Sequence, residues 1–473
     1  MFRRTPLSLR LLACIALLLA GSRPLARAGG PASTAKRQWE DEVVYVAITE
    51  KLWDGDPKND FMRNAYIASR ARLEGGFWGG DLKGATEKLP AIADLGVTTI
   101  LLYPVMQNDE TPVGRFLPTG YRPKDYDRVD RNFGDESDLR SFIRAAHDRD
   151  IRVLLDMPLG FPGFEHPFLS DHSKRDWFGE VTPYGQRRWK AENPAVADYL
   201  ISVCKRWLTR SNCDGFRLDA AQLQPVAFWK RFVKEIRSAA DRPLTMVAEL
   251  PLNPRDIGRI VSECGFDGAY DFSTGKVRDV FGSDASIGDL SFVNAEAERF
   301  YRAPRSMMAQ IDNYEDAFVT ASKEPASARF RIALAYLLTI DRVPLLYPGD
   351  ELGIAFQEVG GAFPPNRDQS PQLKELKALV ALRRREPALR RGEFHEVLSR
   401  AGTYGFSRSL GRDQFIVLIN ASARAQLLAP AVGPRAWRDV RLEDALRGGI
   451  VKEAGDGAAL NIAGWDYRVL QVR

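Results

Sequence analysis

The sequence predicts a barrel of eight parallel strands alternating with helices, (β/α)8, and two observations carry that prediction. Short apolar runs end in acids: Val153-Leu154-Leu155-Asp156, Phe216-Arg217-Leu218-Asp219, Met246-Val247-Ala248-Glu249 and Met308-Ala309-Gln310-Ile311-Asp312. Helical segments separate these runs, and strands that present acids from their C-terminal ends describe the rim where such barrels build their sites. Within the second run, Arg217 and Asp219 fall two residues apart on one face of a buried strand. Two charges placed that way are costly unless they pair or do chemistry. Asp219 is therefore the first candidate residue.

Residues 1–28 carry five Arg and no acid, an apolar run over 11–20 and then Ala26-Arg27-Ala28. That pattern is expected of a cleaved secretory signal, with the mature protein periplasmic or secreted. The run is short for a bilayer span, so no membrane association is expected after cleavage. Of the 67 Lys and Arg in the chain, 62 remain beyond this leader and balance 62 acids. A near-neutral mature chain gives no electrostatic case for nucleic acid. Three cysteines would remain, Cys204, Cys213 and Cys264. An odd number cannot all pair internally, and Cys213 is expected to be a free core thiol.

The run Val43-Val44-Tyr45-Val46-Ala47-Ile48 suits the first strand. Asp54, Asp56, Asn59 and Asp60 follow on a Gly/Pro turn, where four oxygen-bearing side chains can wrap a hard cation; acidic turns of this kind are also common without metal. A helix is expected over 85–95, ended by Gly96, then a second strand over 98–103. Helices over 137–148 and 194–209 flank the third strand and a stretch, 157–192, rich in Phe, Trp, Gly and Pro. In that stretch Trp177, Phe178 and Trp189 could line a groove or fill a core. The sixth strand lies within 265–272, and the last opens the segment that runs to Pro348-Gly349-Asp350-Glu351. A helix over 373–386 closes the barrel, after which short β-rich runs such as 415–419 and 467–472 alternate with Gly, Asn and Asp. That texture predicts a separate antiparallel β-domain.

The order and wording of these segments, from about Val43 to the C-terminus, resembles the α-amylase family of glycoside hydrolases, family 13. The resemblance implies a catalytic barrel over 40–386 with 157–192 as a short domain B, and a C-terminal β-sandwich over 387–473. It implies a retaining hydrolase or transglycosylase acting on α-glucans or maltooligosaccharides. Retention requires a nucleophile and an acid roughly 5–5.5 Å apart. Asp219 is expected to attack, held ionised and aimed by Arg217, and Glu249 to serve as acid and base with a raised pKa. In the family, a third acid binds sugar hydroxyls. Its wording places Glu315 there, but the family's residue is usually Asp, and a one-residue bulge after Asn313 would deliver Asp316, which is the expected choice. Tyr121 is expected to stack on the sugar being cleaved, and Asp156, Arg217, Tyr314 and Glu315 to line the substrate site. The resemblance also implies that Gly79 and Asp81 complete a calcium shell with Asp54, Asp56, Asn59 and Asp60.

The chain departs from the family at five positions, four of which, Gly160, Phe161, Leu223 and Tyr314, lose the usual polar group. Gly160 and Phe161 stand where Asn and His are usual, Gln222-Leu223 replaces a Lys-His pair, and Tyr314 replaces a His. These losses motivate the competing reading, a catalytically silent glycan-binding or assembly protein on the same scaffold. Retention of Asp219, Glu249 and Arg217 favours the enzyme.

Overall fold

The computed structural model describes residues 37–61, 78–111, 120–183, 185–282, 286–313, 326–354, 367–430, 432–433 and 435–473. Eight parallel strands form its centre: β1 (Val44–Ala47), β2 (Thr99–Leu102), β3 (Arg152–Met157), β4 (Gly215–Leu218), β5 (Thr245–Ala248), β6 (Gly268–Ala269), β7 (Met308–Ala309) and β8 (Val343–Leu346). Each pairs with its sequence neighbour from β1 to β6, β7 pairs with β8, and β8 returns to β1. A parallel bridge from Tyr270 to Met308 closes the ring.

Parity along these strands decides what reaches the interior. Val44, Val46, Leu101, Leu154, Val247, Val343 and Leu345 form one buried cluster inside the barrel, whereas Tyr45, Ala47, Ile100, Leu155, Phe216 and Leu218 belong to the cluster beneath the helices. Side chains two apart share a face. Inward Leu154 and Val247 therefore carry Asp156 and Glu249 inward, and outward Phe216 and Leu218 leave Arg217 and Asp219 facing the interior. Strand β4 also lies unusually close to β5. Gly215 has a φ of 145°, and a Cβ there would stand 1.8 Å from the Thr245 carbonyl oxygen, so only glycine fits.

Local caps fix the helix starts. Asp81 caps α1 (Leu82–Ala93) by accepting from the Gly84 amide, which starts the helix three residues earlier than its apolar spacing suggested. Asp135 and Asp138 form a capping box on α2 (Glu136–His147), and Asn193 followed by Pro194 opens α3 (Pro194–Ser211). Two excursions leave the rim. One, unforeseen in the sequence, pairs Met106–Asn108 antiparallel with Pro123–Val129. The other follows β3 and includes the hairpin Phe178–Val181 with Arg187–Trp189. Its aromatics settle as core: Trp189 is fully buried and stacks on Phe178, and half-buried Trp177 packs on Phe168 and Tyr199.

Beyond a short helix, Pro387–Arg391, the C-terminal region folds as a six-stranded antiparallel sheet with a separate strand pair, Gln426–Leu428 and Leu460–Ile462. Ile416, Leu418, Leu442 and Leu470 meet Leu428 and Ile462 between the two sheets, while Phe415, Val417 and Ile419 face the barrel's own core. Cys204, Cys213 and Cys264 are buried free thiols, and burial pushes all three above the usual thiol range.

Candidate active site

The interior positions selected by parity converge on one guanidinium. Nη1 of Arg217 lies 2.7 Å from Asp219 and 2.7 Å from Asp156, and Nη2 lies 2.8 Å from Glu249. One cation thus gathers three carboxylates from β3 and the ends of β4 and β5. Holding Asp219 and Glu249 on different nitrogens of the same plane sets them side by side at the rim, the arrangement a retaining pair needs.

Backbone geometry fixes Glu249 further. Its amide donates to the Leu218 carbonyl, its carbonyl accepts from Ala221, and its Oε2 accepts from the Ala220 amide at 3.0 Å. Ala220 takes a left-handed conformation, φ 43°, which is uncommon for a residue with a Cβ. The turn after the candidate nucleophile is therefore tightened onto the candidate acid.

Tyr121 joins the same cluster. Its hydroxyl donates to Asp156 at 2.6 Å, and its ring meets Tyr103 edge to face at 5.4 Å. Sequence reasoning missed the remaining aromatic wall. Tyr270 stands 5.5 Å from the Arg217 guanidinium, and Tyr347 and Tyr103 bring their hydroxyls to 3.4 Å. Each directly follows its strand's last residue with inward parity, and that was the available signal. A second buried pair of acids, Asp312 and Asp350, lies beyond the ends of β7 and β8. Burial pushes the Asp350 carboxyl well up, and Asp312 adds to the shift.

Burial raises the pKa of Asp219 against the pull of the Arg217 guanidinium, and Glu249 and Asp156 raise it further. Burial likewise pushes Asp156 up to about 6. Desolvation beside neighbouring carboxylates thus favours proton uptake at Asp219 and Asp156.

Tyr314, Glu315 and Asp316 lie outside the described residues. Gly160 and Leu223, two departures from the family wording, touch each other: a Cβ on Gly160 would stand 2.9 Å from the Leu223 side chain and 3.8 Å from that of Ala220. Phe161 is buried.

The expected calcium ligands gather at one corner around Asp81. That carboxylate accepts from the Asp56 amide at 2.8 Å, from the Asn59 side chain at 3.0 Å and from the Gly55 amide, next to Asp54, at 3.3 Å. A Cβ on Gly79 would run into Asp60. The donors are all oxygen, which suits a hard cation, and Asn59 Oδ1 is buried with no hydrogen-bond partner. No three His, Cys, Asp or Glu side chains among the described residues cluster closely enough to hold a metal. An ion here would therefore draw on the Asn59 amide and the Gly79 carbonyl as well.

Known proteins resemble the chain in sequence and in fold. Residues 47–188 match the family model described as "Alpha amylase, catalytic domain". The chain is 29% identical to the Beta/alpha-amylase of Paenibacillus polymyxa over 82% of its own length but only 34% of that protein. It is 27% identical to neopullulanase 2 of Thermoactinomyces vulgaris over 85% of this chain and 74% of the other. The crystal structure of the Geobacillus thermoleovorans α-amylase complexed with acarbose superposes with a TM-score of 0.80 at 27% identity, covering 93% of this chain and 99% of that one. The chain is similar to the α-amylase family of glycoside hydrolases, in sequence over residues 47–188 and in fold over most of its length. The chain combines the barrel with an antiparallel C-terminal sheet. The chain spans about a third of the Paenibacillus enzyme and about three-quarters of neopullulanase 2. Gly160 and Leu223, two positions where the sequence departs from the family wording, meet in one apolar contact beside the turn after Asp219.

Proposed function

We propose that this chain is an exported, retaining α-glycoside hydrolase or transglycosylase acting on α-glucans or maltooligosaccharides. The observation that carries the reading is the single Arg217 guanidinium binding Asp156, Asp219 and Glu249 at once. In the first step a carboxylate oxygen of Asp219 bonds to the anomeric carbon as the glycosidic C–O bond breaks, and Glu249 gives its proton to the leaving oxygen. In the second, Glu249 takes a proton from water, whose oxygen attacks the anomeric carbon and frees Asp219. A sugar hydroxyl in place of water gives transfer. Asp156 and Tyr121, bonded to each other and to Arg217, hold the ring being cleaved, with Asp316 as the third acid, Glu315 the alternative, and Tyr314 beside them.

Calcium belongs to the same reading, as a clip between the turn at 54–60 and the start of α1 held by Asp54, Asp56, Asn59, Asp60, the Gly79 carbonyl and Asp81. Such an ion supplies charge neutralisation and loop order. The relatives' names, amylase and neopullulanase, support an α-glucan substrate.

Reducing-sugar release from maltooligosaccharides tests the proposal. Asp219→Asn and Glu249→Gln are expected to lower kcat by roughly three orders of magnitude or more without loss of fold, since each group acts chiefly in the transition state. Wild-type turnover that either variant retains would remove the assignment. Absence of turnover in the wild type, with sugar binding kept, would instead establish the silent glycan-binding reading.

A further inference from the structure

The arm that follows β3 is tied to the turn beyond Asp219 chiefly by one buried side chain, Gln224, which makes four bonds where Arg188 makes one. Gln224 is 5% exposed. Its Nε2 donates to the carbonyls of Trp189 at 2.9 Å, Leu159 at 3.1 Å and Gly160 at 3.3 Å, and its Oε1 accepts from the Ala191 amide at 3.4 Å. Three acceptors face one amide nitrogen, so the orientation of the side chain is dictated by its surroundings. The Gln224 backbone amide returns to Ala221, whose own amide bonds the Glu249 carbonyl. A continuous chain of bonds therefore runs from the arm, through Gln224, to the carrier of the candidate acid.

The arm borders the site on both sides. Gly160 packs against Leu223 and Ala220, directly after Asp219, and Gln186 donates to the Tyr121 carbonyl at 3.4 Å. Gly160 and the Leu223 side chain contribute an apolar contact, and the polar ties between the arm and the turn beyond Asp219 are Gln224 and a single bond of 3.4 Å from Arg188 Nη1 to the Leu223 carbonyl.

We propose that Gln224 is a positioning residue that sets the arm at the width a glucan chain requires, a role that rests on the sugar-cleaving reading of the site. It touches no reacting atom. Its removal changes how the groove receives sugar more than how the bond is broken.

Two substitutions test this. Gln224→Met keeps length and loses the donor, whereas Gln224→Glu turns a carboxylate toward three carbonyl oxygens. For a maltooligosaccharide of five or more units, KM is expected to rise about tenfold in either variant while kcat stays within about threefold, the signature of lost binding common to ground and transition states. The Gln224→Glu variant carries a second signature. Its kcat/KM relative to wild type should recover as pH falls, because the introduced carboxyl regains one donor once protonated, whereas the ratio for Gln224→Met stays flat. If the Met variant does not accumulate folded, Gln224→Asn, a donor one methylene shorter, should give an intermediate rise in KM. Calorimetric binding of maltopentaose to an Asp219→Asn chain, with and without Gln224→Met, reads the same effect without turnover. Weaker binding in the double variant supports the positioning role even if the wild type proves inactive, which would overturn only the hydrolase reading. Wild-type KM and binding in all variants, or a parallel fall of kcat and Tm at unchanged KM, would overturn the positioning role and leave the catalytic assignment standing.

Discussion

Asp156 shows how one buried residue couples the site to stability. It is fully buried, bonded to Arg217 and Tyr121, and burial lifts its pKa from 3.8 to about 6. A carboxyl whose folded pKa exceeds its unfolded value binds more protons in the folded chain between the two. Its contribution is present in full below about pH 4 and is lost as pH rises through about 6. Asp219, also raised by burial, acts in the same direction. The prediction is that Asp156→Asn flattens the part of the Tm profile between about pH 4 and 6 in which wild-type stability falls with rising pH. Thermal melts across that range check it, and an unchanged slope would show that the group titrates as in the unfolded chain. The residues of this cluster were legible from their i, i+2 spacing and strand-end positions. Their charge state was not, because desolvation depends on how many neighbours close over the site.

At the scale of elements, two ties have separate consequences. The first is the acidic turn seated on the start of α1. If calcium binds Asp54, Asp56, Asn59, Asp60, Gly79 and Asp81, added calcium should raise Tm by mass action and a chelator should reverse it. Melting curves with and without calcium, beside elemental analysis of the purified protein, check the outcome; no shift and no metal would leave a hydrogen-bonded turn built on Asp81. The second tie joins the barrel to the C-terminal sheet. Arg408 is buried and donates to the carbonyls of Thr339, Leu389 and Gly392, and Arg383, equally buried, donates to Leu338, Ile340 and Leu389. Two guanidiniums, one from the C-terminal sheet and one from the barrel's closing helix, thereby cap the C-terminal end of the helix Ala326–Thr339. Arg408→Met removes the guanidinium donor from the Thr339 and Gly392 carbonyls, while Leu389 keeps Arg383, and is expected to cost about 2–3 kcal/mol. Urea unfolding measures it, and a midpoint equal to wild type would show that relief of the buried charge offsets the lost bonds. Neither guanidinium was readable from sequence, since Arg in a strand or on a helix ordinarily faces solvent and nothing local marks these two as buried. The barrel strands were readable because burial on both faces writes continuous apolar runs. The excursion at 106–129 was not, because its pairing is broken by register shifts at Gln107 and leaves no clean alternation.

For the whole molecule, parallel strands give way to antiparallel ones beyond the helix Pro387–Arg391, and the two regions share a buried core. Phe406, Phe415, Val417, Ile419, Tyr467 and Val469 of the C-terminal sheet belong to the same buried cluster as the barrel helices, and Tyr467 bonds Glu375 on the closing helix. Removing that sheet would expose a face of aromatic and β-branched side chains. At about 25 cal/mol per Å² of apolar area, a few such residues already match the net stability of a typical domain. The Arg408 caps would go with it. A chain ending at Glu386 is therefore expected to be insoluble, or to remain soluble only as an aggregate that binds ANS, and the full chain from residue 37 to unfold in one calorimetric transition. Two separate transitions, or a monomeric and cooperatively melting 37–386 fragment, would show that the barrel carries its own stability and that the shared core is only an interface.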